Sequence, residues 1–580
     1  MIKKLAKYVK DCKKDAILTP IFVIFEVVME VVIPYLMAKI IDVGIQNNDV
    51  KYILEIGVFL IVSAILSLAF GMLSGRFAAK ASAGYAKNLR KAMFDKIQTY
   101  AFENIDKFST SSLITRLTTD VTNVQHAFQM IIRILVRAPI MLIFALFMTF
   151  NISAKLACIF LVAIPVLGFL LIFIAKKAHP HFERVFKKYD KLNRVVQEDL
   201  AGIRVVKAYA KEDLEKEKFK DVNNEVYTIF KKAEKIVAFN SPVMQFTVYS
   251  CILLISWFGA QFIVGGEMQT GQLSSLITYA YQILMSLMML SMVFVMVIIA
   301  QSSAERIVEV LEEEPAIKNK ERTVKEVKDG GIVFDNVSFC YSDEKDRTKF
   351  ALRNINLEIK PGETVGIIGG TGSSKSTLVQ LIPRLYEATK GRVKVGGVDV
   401  RDYDLDTLRD SVSMVLQKNV LFSGTISENL RWGNKEADDE ELERVCKLAQ
   451  ADSFIKQFPA KYETVLDQGG TNVSGGQKQR ICIARALLKK PKILILDDST
   501  SAVDTKTDAL IRKAFREEIP NTTKIIIAQR ISSIEDADKI VVLNEGRIDG
   551  IGTSEELLKT NKIYREVYES QMKGDETASK

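Results

Sequence analysis

The residues of this 580-residue chain that most directly imply chemistry are Gly369-Gly370-Thr371-Gly372-Ser373-Ser374-Lys375-Ser376-Thr377. They follow an apolar run, Val365–Ile368, and precede a stretch that favours helix. In that setting backbone N–H groups and a helix N-terminus bind phosphate oxygens, Lys375 reaches the β and γ phosphates of a nucleotide, and Ser376 ligates Mg²⁺. The strict GxxxxGK[ST] pattern fails at Ser374, which stands where the last glycine belongs. If that position is left-handed, a non-glycine residue costs roughly 1 kcal/mol there. Taken alone, the stretch is also compatible with an ordinary Gly/Ser turn. A second apolar run, Ile493–Leu496, ends in Asp497, a carboxylate suited to holding Mg²⁺ through water. The three histidines are His126, His179 and His181, so chemistry in the C-terminal part runs without histidine.

The elements that must position these groups fall into two halves. The chain is 48% hydrophobic and 26% charged, which excludes a disordered or fibrous chain. Its net charge of +9 is modest for the length and gives no sign of a nucleic-acid partner. The six cysteines are scattered without a CxxC pair, so neither a disulfide framework nor a zinc site is expected, and a reducing compartment fits. A membrane helix needs about 20 apolar residues. Six stretches qualify: about Ala16–Ile40, Ile53–Ser74, Ile131–Phe150, Leu156–Ala175, Pro242–Val264 and Leu276–Ile298. The first is too long for a cleavable signal peptide. Lysines crowd the N-terminus (Lys3, Lys4, Lys7, Lys10, Lys13, Lys14), and Lys and Arg enrich the two long loops, so both termini and both long loops are expected in the cytosol. Arg76–Tyr100 and Lys176–Ala238 contain almost no Pro or Gly and predict helices that run on past the bilayer. After Glu312–Asp329, a charged linker, short β-rich runs alternate with helical ones. Val365–Ile368, Ile493–Leu496 and Ile525–Ala528 predict buried parallel strands.

Between the phosphate loop and Asp497 lies Val473-Ser474-Gly475-Gly476-Gln477-Lys478-Gln479-Arg480, which resembles the signature motif of ATP-binding cassette (ABC) proteins. Gln417 then matches the Q-loop, Tyr341 the aromatic that stacks on adenine, and Ser501-Ala502-Val503-Asp504 the D-loop. Phe108–Val121 resembles the first intracellular coupling segment of ABC exporters and Glu198–Lys211 the segment leading into the second, so the resemblance covers nearly the whole chain. It implies a six-span α-helical membrane domain fused to an α/β P-loop cassette, with ATP and Mg²⁺ as cofactors. Boundaries follow: residues 1–15 a basic cytosolic segment, 16–311 the transmembrane domain, 312–329 the linker, 330–571 the cassette and 572–580 a disordered tail. The resemblance also implies a pair of cassettes, head to tail, each ATP lying between one chain's phosphate loop and the other's Ser474, Gly475, Gly476 and Gln477. Ser376, Gln417 and Asp497 would hold the metal.

Three positions depart from the family pattern, all in one ATP site. Asp498 stands for the catalytic glutamate, Gln529 for the switch histidine, and Ser374 for the loop glycine. Asp is one methylene shorter than Glu, and a misplacement of about 1 Å can cost on the order of 100-fold in rate. Gln529 can hydrogen-bond a phosphate but cannot carry positive charge. An altered site beside an intact signature resembles the degenerate half of bacterial heterodimeric multidrug ABC exporters. The expected function is therefore ATP-driven export of hydrophobic or amphipathic compounds across the cytoplasmic membrane, beside a second half-transporter. A regulatory nucleotide-binding subunit and a peptide or lipid exporter are the alternatives. In the membrane, Glu26 and Glu30 lie one helical turn apart and are candidates for substrate contact or gating. Arg133 and Arg137 read as headgroup anchors. Met285, Met288, Met289, Met292 and Met296 make a deformable stripe in the last span.

Overall fold

The computed structural model describes the backbone of residues 2–341, 350–499 and 502–578. Ser501 of the D-loop lies outside the described residues, as do the side chains of 572–580, the stretch read as a tail. The chain folds as two units, one of residues Met1–Gln98 and Thr110–Glu313, the other of Thr99–Ser109 and Glu314–Lys580.

The first unit is helical: α1 (Lys13–Lys39), α2 (Val50–Gln98), α4 (Val121–Ile152), α5 (Ala154–Ala208), α6 (Glu212–Val237), α7 (Asn240–Val264) and α8 (Thr270–Glu312). Six of its helical stretches are long and apolar enough to cross a membrane. Helix α2 has 49 residues and α5 has 55. At 1.5 Å per residue they are about 70–80 Å long, against a hydrocarbon core of about 30 Å, so the Pro- and Gly-poor charged stretches do continue the spans as helix. Aliphatic and aromatic side chains, among them Val23, Val27, Phe160, Leu276 and Tyr279, fill the core between helices. Phe169, Phe246, Leu253 and Trp257 point outward and stay exposed. An outward apolar face is what a helix bundle solvated by lipid requires.

The second unit carries a six-stranded sheet in the order β12-β11-β3-β10-β9-β6 and a four-stranded antiparallel sheet in the order β2-β1-β4-β5. The four-stranded sheet comprises β1 (Ile332–Phe339), β2 (Leu352–Ile359), β4 (Lys390–Val395) and β5 (Val398–Asp399). The larger sheet comprises β3 (Thr364–Gly369), β6 (Val412–Val415), β9 (Ile493–Asp497), β10 (Thr523–Ile527), β11 (Lys539–Asn544) and β12 (Arg547–Gly552), while β7 (Gly424–Thr425) pairs with β8 (Val465–Leu466). Strands β11, β3, β10, β9 and β6 run parallel, and only β12 is antiparallel. Their continuous apolar runs follow from burial on both faces. Apolar cores fill the two sides, one around Leu494, Leu496 and Ile526, the other around Ile367, Ile495 and Ile527.

The charged linker is pinned to this unit. Lys320 pairs with Asp402, Asn319 bonds Asp404 and the Leu405 N–H, and Val324 bridges to Tyr403. A short helix, α3 (Phe102–Phe108), belongs to the same unit although its sequence lies between α2 and α4.

Candidate nucleotide site

Four neighbouring parallel strands deliver the site. The loop after β3 is the phosphate loop, β6 leads to Gln417, β9 ends at Asp497, and β10 leads to Gln529. In register, Ile527 of β10 lies between Ile367 of β3 and Asp497 of β9, so the carboxyl ends of these strands share one edge. That edge is where open α/β sheets bind ligands.

The loop opens helix α9 (Lys375–Gln380). Ser374 is its N-cap at φ 70°, ψ 28°, the left-handed region that suits glycine. Gly369 admits no side chain: a Cβ there would come within 2.1 Å of the Leu543 carbonyl oxygen. Lys375 Nζ donates to the carbonyls of Gly369 (2.8 Å) and Gly370 (2.9 Å). Burial lowers its pKa, opposed by the charges of Asp498 and Asp497. Ser376 Oγ donates to Asp497 Oδ1 at 2.9 Å. Burial raises the Asp497 pKa, and the Ser376 bond offsets part of that. A desolvated carboxylate bonded to a hydroxyl is the donor set that a Mg²⁺ carrying nucleotide phosphates fits, because its charge reverses the burial penalty.

Asp498 follows directly on β9 with φ 48°, its N–H bonded to the Ile527 carbonyl at 3.0 Å. Its Oδ2 accepts from Gln529 Nε2 at 2.7 Å and from Gln417 Nε2 at 3.4 Å. Asp498, the switch-position Gln529 and the Q-loop residue Gln417 therefore meet at one oxygen. Sequence reasoning missed Gln571 on the last helix, α12 (Lys562–Ala578), whose amide donates to the Gln529 carbonyl and accepts from the Ile531 N–H, both at 2.8 Å. Tyr341 is half exposed, and its hydroxyl shares a 2.7 Å hydrogen bond with Thr377 Oγ1 on α9.

The signature forms a separate cluster. Ser474 caps α10 (Gly475–Leu488) in a reciprocal capping box: its N–H donates to Gln477 Oε1 at 2.9 Å, and the Gln477 N–H donates to Ser474 Oγ at 3.3 Å. A Cβ on Gly476 would stand 2.8 Å from the Ala502 carbonyl oxygen. Asp504 caps the next helix, α11 (Thr505–Glu518), through the Thr507 N–H, and those bonds hold its carboxyl below the usual range. Among the described residues, no hydrogen bond of Ser474–Gln477 reaches the phosphate loop.

In the membrane unit, Arg137 on α4 grips both acids of α1. One nitrogen bonds Glu26, and the other lies 2.7 Å from each Glu30 oxygen. Ser74 on α2 donates to Glu26 at 3.2 Å, and a Cβ on Gly71 would stand 3.1 Å from the same carboxylate. Arg137 is therefore no headgroup anchor: two carboxylates one turn apart hold it. Arg133 lies over Gly75. The stripe methionines Met285, Met288, Met289 and Met292 are exposed.

Comparisons agree with this architecture. Residues 16–302 match the model of the ABC transporter transmembrane region, and residues 352–501 match the ABC transporter model. An uncharacterized ABC transporter ATP-binding protein, YfiB of Bacillus subtilis (strain 168), is 39% identical over 570 residues, covering 98% of both chains. An ATP-dependent lipid A-core flippase of Desulfotalea psychrophila is 33% identical over 486 residues, covering 84% of each chain. A solved bacterial Atm1-family ABC exporter with ATP bound superposes with a TM-score of 0.82 at 22% identity, covering 97% of this chain and 98% of the other.

Proposed function

Because the chain belongs to the ABC transporter family, as an exporter half-transporter with an ATPase cassette coupled to transport, we propose that it is the degenerate-site half of a heterodimer. In this reading it exports hydrophobic or amphipathic compounds across the cytoplasmic membrane, with both termini in the cytosol. The observation that carries it is the Gln529–Asp498 bond. The carboxylate that should orient the attacking water is short, and it accepts the amide that should face the γ-phosphate. Lys375, Ser376 and Asp497 keep their charge and donor chemistry, so ATP and Mg²⁺ binding survives while transition-state chemistry weakens. The intact signature, Ser474–Gln477, completes the partner's site, and this favours an exporter half over a purely regulatory subunit.

The test is ATP turnover of the purified chain, alone and with its partner. Alone, every site uses Asp498 and Gln529, and hydrolysis is very slow. With the partner, a complex of one chain of each kind turns over. Turnover of the chain alone at the rate of ordinary exporters overturns the reading.

The cargo follows from the membrane acids. Two carboxylates share one guanidinium, and Glu30 is the more exposed of the pair, 29% against 10% for Glu26. Two acids against one guanidinium leave a surplus of negative charge in the cluster, and Glu30 is its more exposed acid, which favours cationic hydrophobic compounds. Replacing both acids with Gln reduces export of cationic compounds more than of neutral ones, and Glu30→Gln alone reproduces most of that. Equal loss for both classes, or none, refutes it. Lipid cargo is the second reading, favoured by the flippase at 33% identity. It predicts lipid translocation that is indifferent to Glu30→Gln.

A further inference from the structure

An aromatic cluster joins the nucleotide edge of the second unit to α3. Tyr341 meets Tyr386 edge to face, at 5.2 Å between ring centroids and 86° between planes. Phe339 packs against both, at 4.8 Å from Tyr341 and 5.6 Å from Tyr386. On its other side Tyr386 meets Phe102 of α3 at 5.9 Å, again edge to face, and its hydroxyl donates to Asp106 Oδ2 of α3 at 2.6 Å. The same helix is fixed a second time through Asn104, whose amide donates to the Glu314 carbonyl and accepts from the Ala316 N–H, both at 2.9 Å. Tyr341 is tied to α9 through Thr377, next to Ser376. Burial and the Asp106 bond both raise the Tyr386 pKa, so the phenol stays protonated and keeps donating at neutral pH.

We propose that Tyr386 is a positioning residue that carries adenine binding at Tyr341 to the segment Thr99–Ser109. The proposal rests on Tyr341 being the adenine-stacking residue. A base stacked on the exposed face of Tyr341 restricts that ring, and an edge-to-face neighbour has a narrow range of good geometries. Restricting Tyr341 restricts Tyr386, and the Tyr386 hydroxyl fixes Asp106. Thr99–Ser109 is continuous in sequence with α2, so this one side chain links base occupancy to a segment that leads directly into a membrane helix. The phosphates alone do not engage the Tyr341 ring face, so the signal depends on the base.

Hydrogen exchange of the 99–109 amides in the full-length assembled transporter tests this, with Mg²⁺ present and either ATP or inorganic tripolyphosphate added. ATP slows exchange in this segment and tripolyphosphate does not. In Tyr386→Phe the ATP-dependent slowing falls by about five-fold or more, the lower end of typical coupling strengths, while ATP affinity is unchanged. Asp106→Ala behaves like Tyr386→Phe, and Asp106→Asn, which keeps an acceptor oxygen, restores the response. A purely structural contact raises exchange equally with and without nucleotide, and that result overturns the proposal. So does an unaltered ATP response in Tyr386→Phe, an equal response to tripolyphosphate, or no ATP response in the unmodified protein. Tyr341→Ala tests the premise separately: if the preference for ATP over tripolyphosphate survives that change, the adenine assignment fails, whatever Tyr386 does.

Discussion

The two phosphate-binding edges of the cassette make an instructive pair. At one edge Ser474 and Gln477 close a reciprocal capping box, and Gly476 sits against the Ala502 carbonyl where no side chain fits. At the other edge Ser374 occupies a left-handed position, and Asp498 and Gln529 bond each other. Both edges present a helix N-terminus, so both keep the means of holding phosphate. They differ in what surrounds that terminus. The signature needs only backbone geometry and a cap. The phosphate-loop edge must also aim a water and sense a γ-phosphate, and those tasks depend on side-chain length and charge. In the proposed heterodimer, such a cassette loses turnover at its own site while completing its partner's site.

The largest expected effect comes from the intact edge. Gly476→Asp forces a side chain against the Ala502 carbonyl and, in the proposed heterodimer, sets a negative charge where the partner's ATP phosphates would lie. ATPase activity of the proposed heterodimer falls by on the order of 100-fold, as for loss of one oxyanion-stabilising donor. A small effect there dissolves the contrast between the edges. Next comes restoration. Asp498→Glu with Gln529→His puts back the family's residue types at the altered edge and raises turnover of the chain purified alone by about 10-fold or more, since a well-placed general base contributes roughly 10²–10⁴-fold. No gain overturns the assignment of the proposed degeneracy to Asp498 and Gln529. Smaller still is Asp498→Asn in the proposed heterodimer, which costs at least about 10-fold less than Glu→Gln at the equivalent position of a partner that keeps the family's glutamate. Steady-state ATPase rates of the two single variants decide it, and equal damage makes the two sites equivalent.

How much of this was legible beforehand varies with the range of the interaction. The phosphate loop, the buried parallel strands and the six spans depend on local pattern: the strands stand within two residues of the positions the pattern gave, and each expected span lies inside a longer helical stretch. The convergence of Gln417, Asp498 and Gln529 on one oxygen was suggested by motif order but requires the register of β6, β9 and β10. Contacts between distant segments left no local mark. Arg137 lies 107 residues from Glu30, so the pattern alone favoured a headgroup role over the ion pair that holds it. Gln571 and Tyr386 sit in unremarkable amphipathic or apolar stretches and match no motif. Only the fold brings one to Gln529 and the other to Asp106.

The finest expected effect isolates backbone strain from chemistry. Ser374 has φ 70°, and its side chain makes no capping hydrogen bond to α9. Glycine visits this conformation freely, whereas an L side chain there brings Cβ close to the following carbonyl, at a cost of roughly 1–2 kcal/mol. Glycine also loses more backbone entropy on folding, by up to about 1 kcal/mol, so the two contributions oppose. Ser374→Gly is therefore expected to stabilise the cassette by no more than about 1 kcal/mol, a rise in thermal midpoint of a few degrees at most. Because Lys375, Ser376 and Asp497 are untouched, nucleotide affinity tightens slightly or not at all, and turnover of the isolated chain stays slow. Thermal unfolding and ATPase rate on the same preparation separate the outcomes. A large gain in turnover from this change alone would move the defect from Asp498 and Gln529 to the loop, and the contrast between the two edges would then rest on one backbone angle.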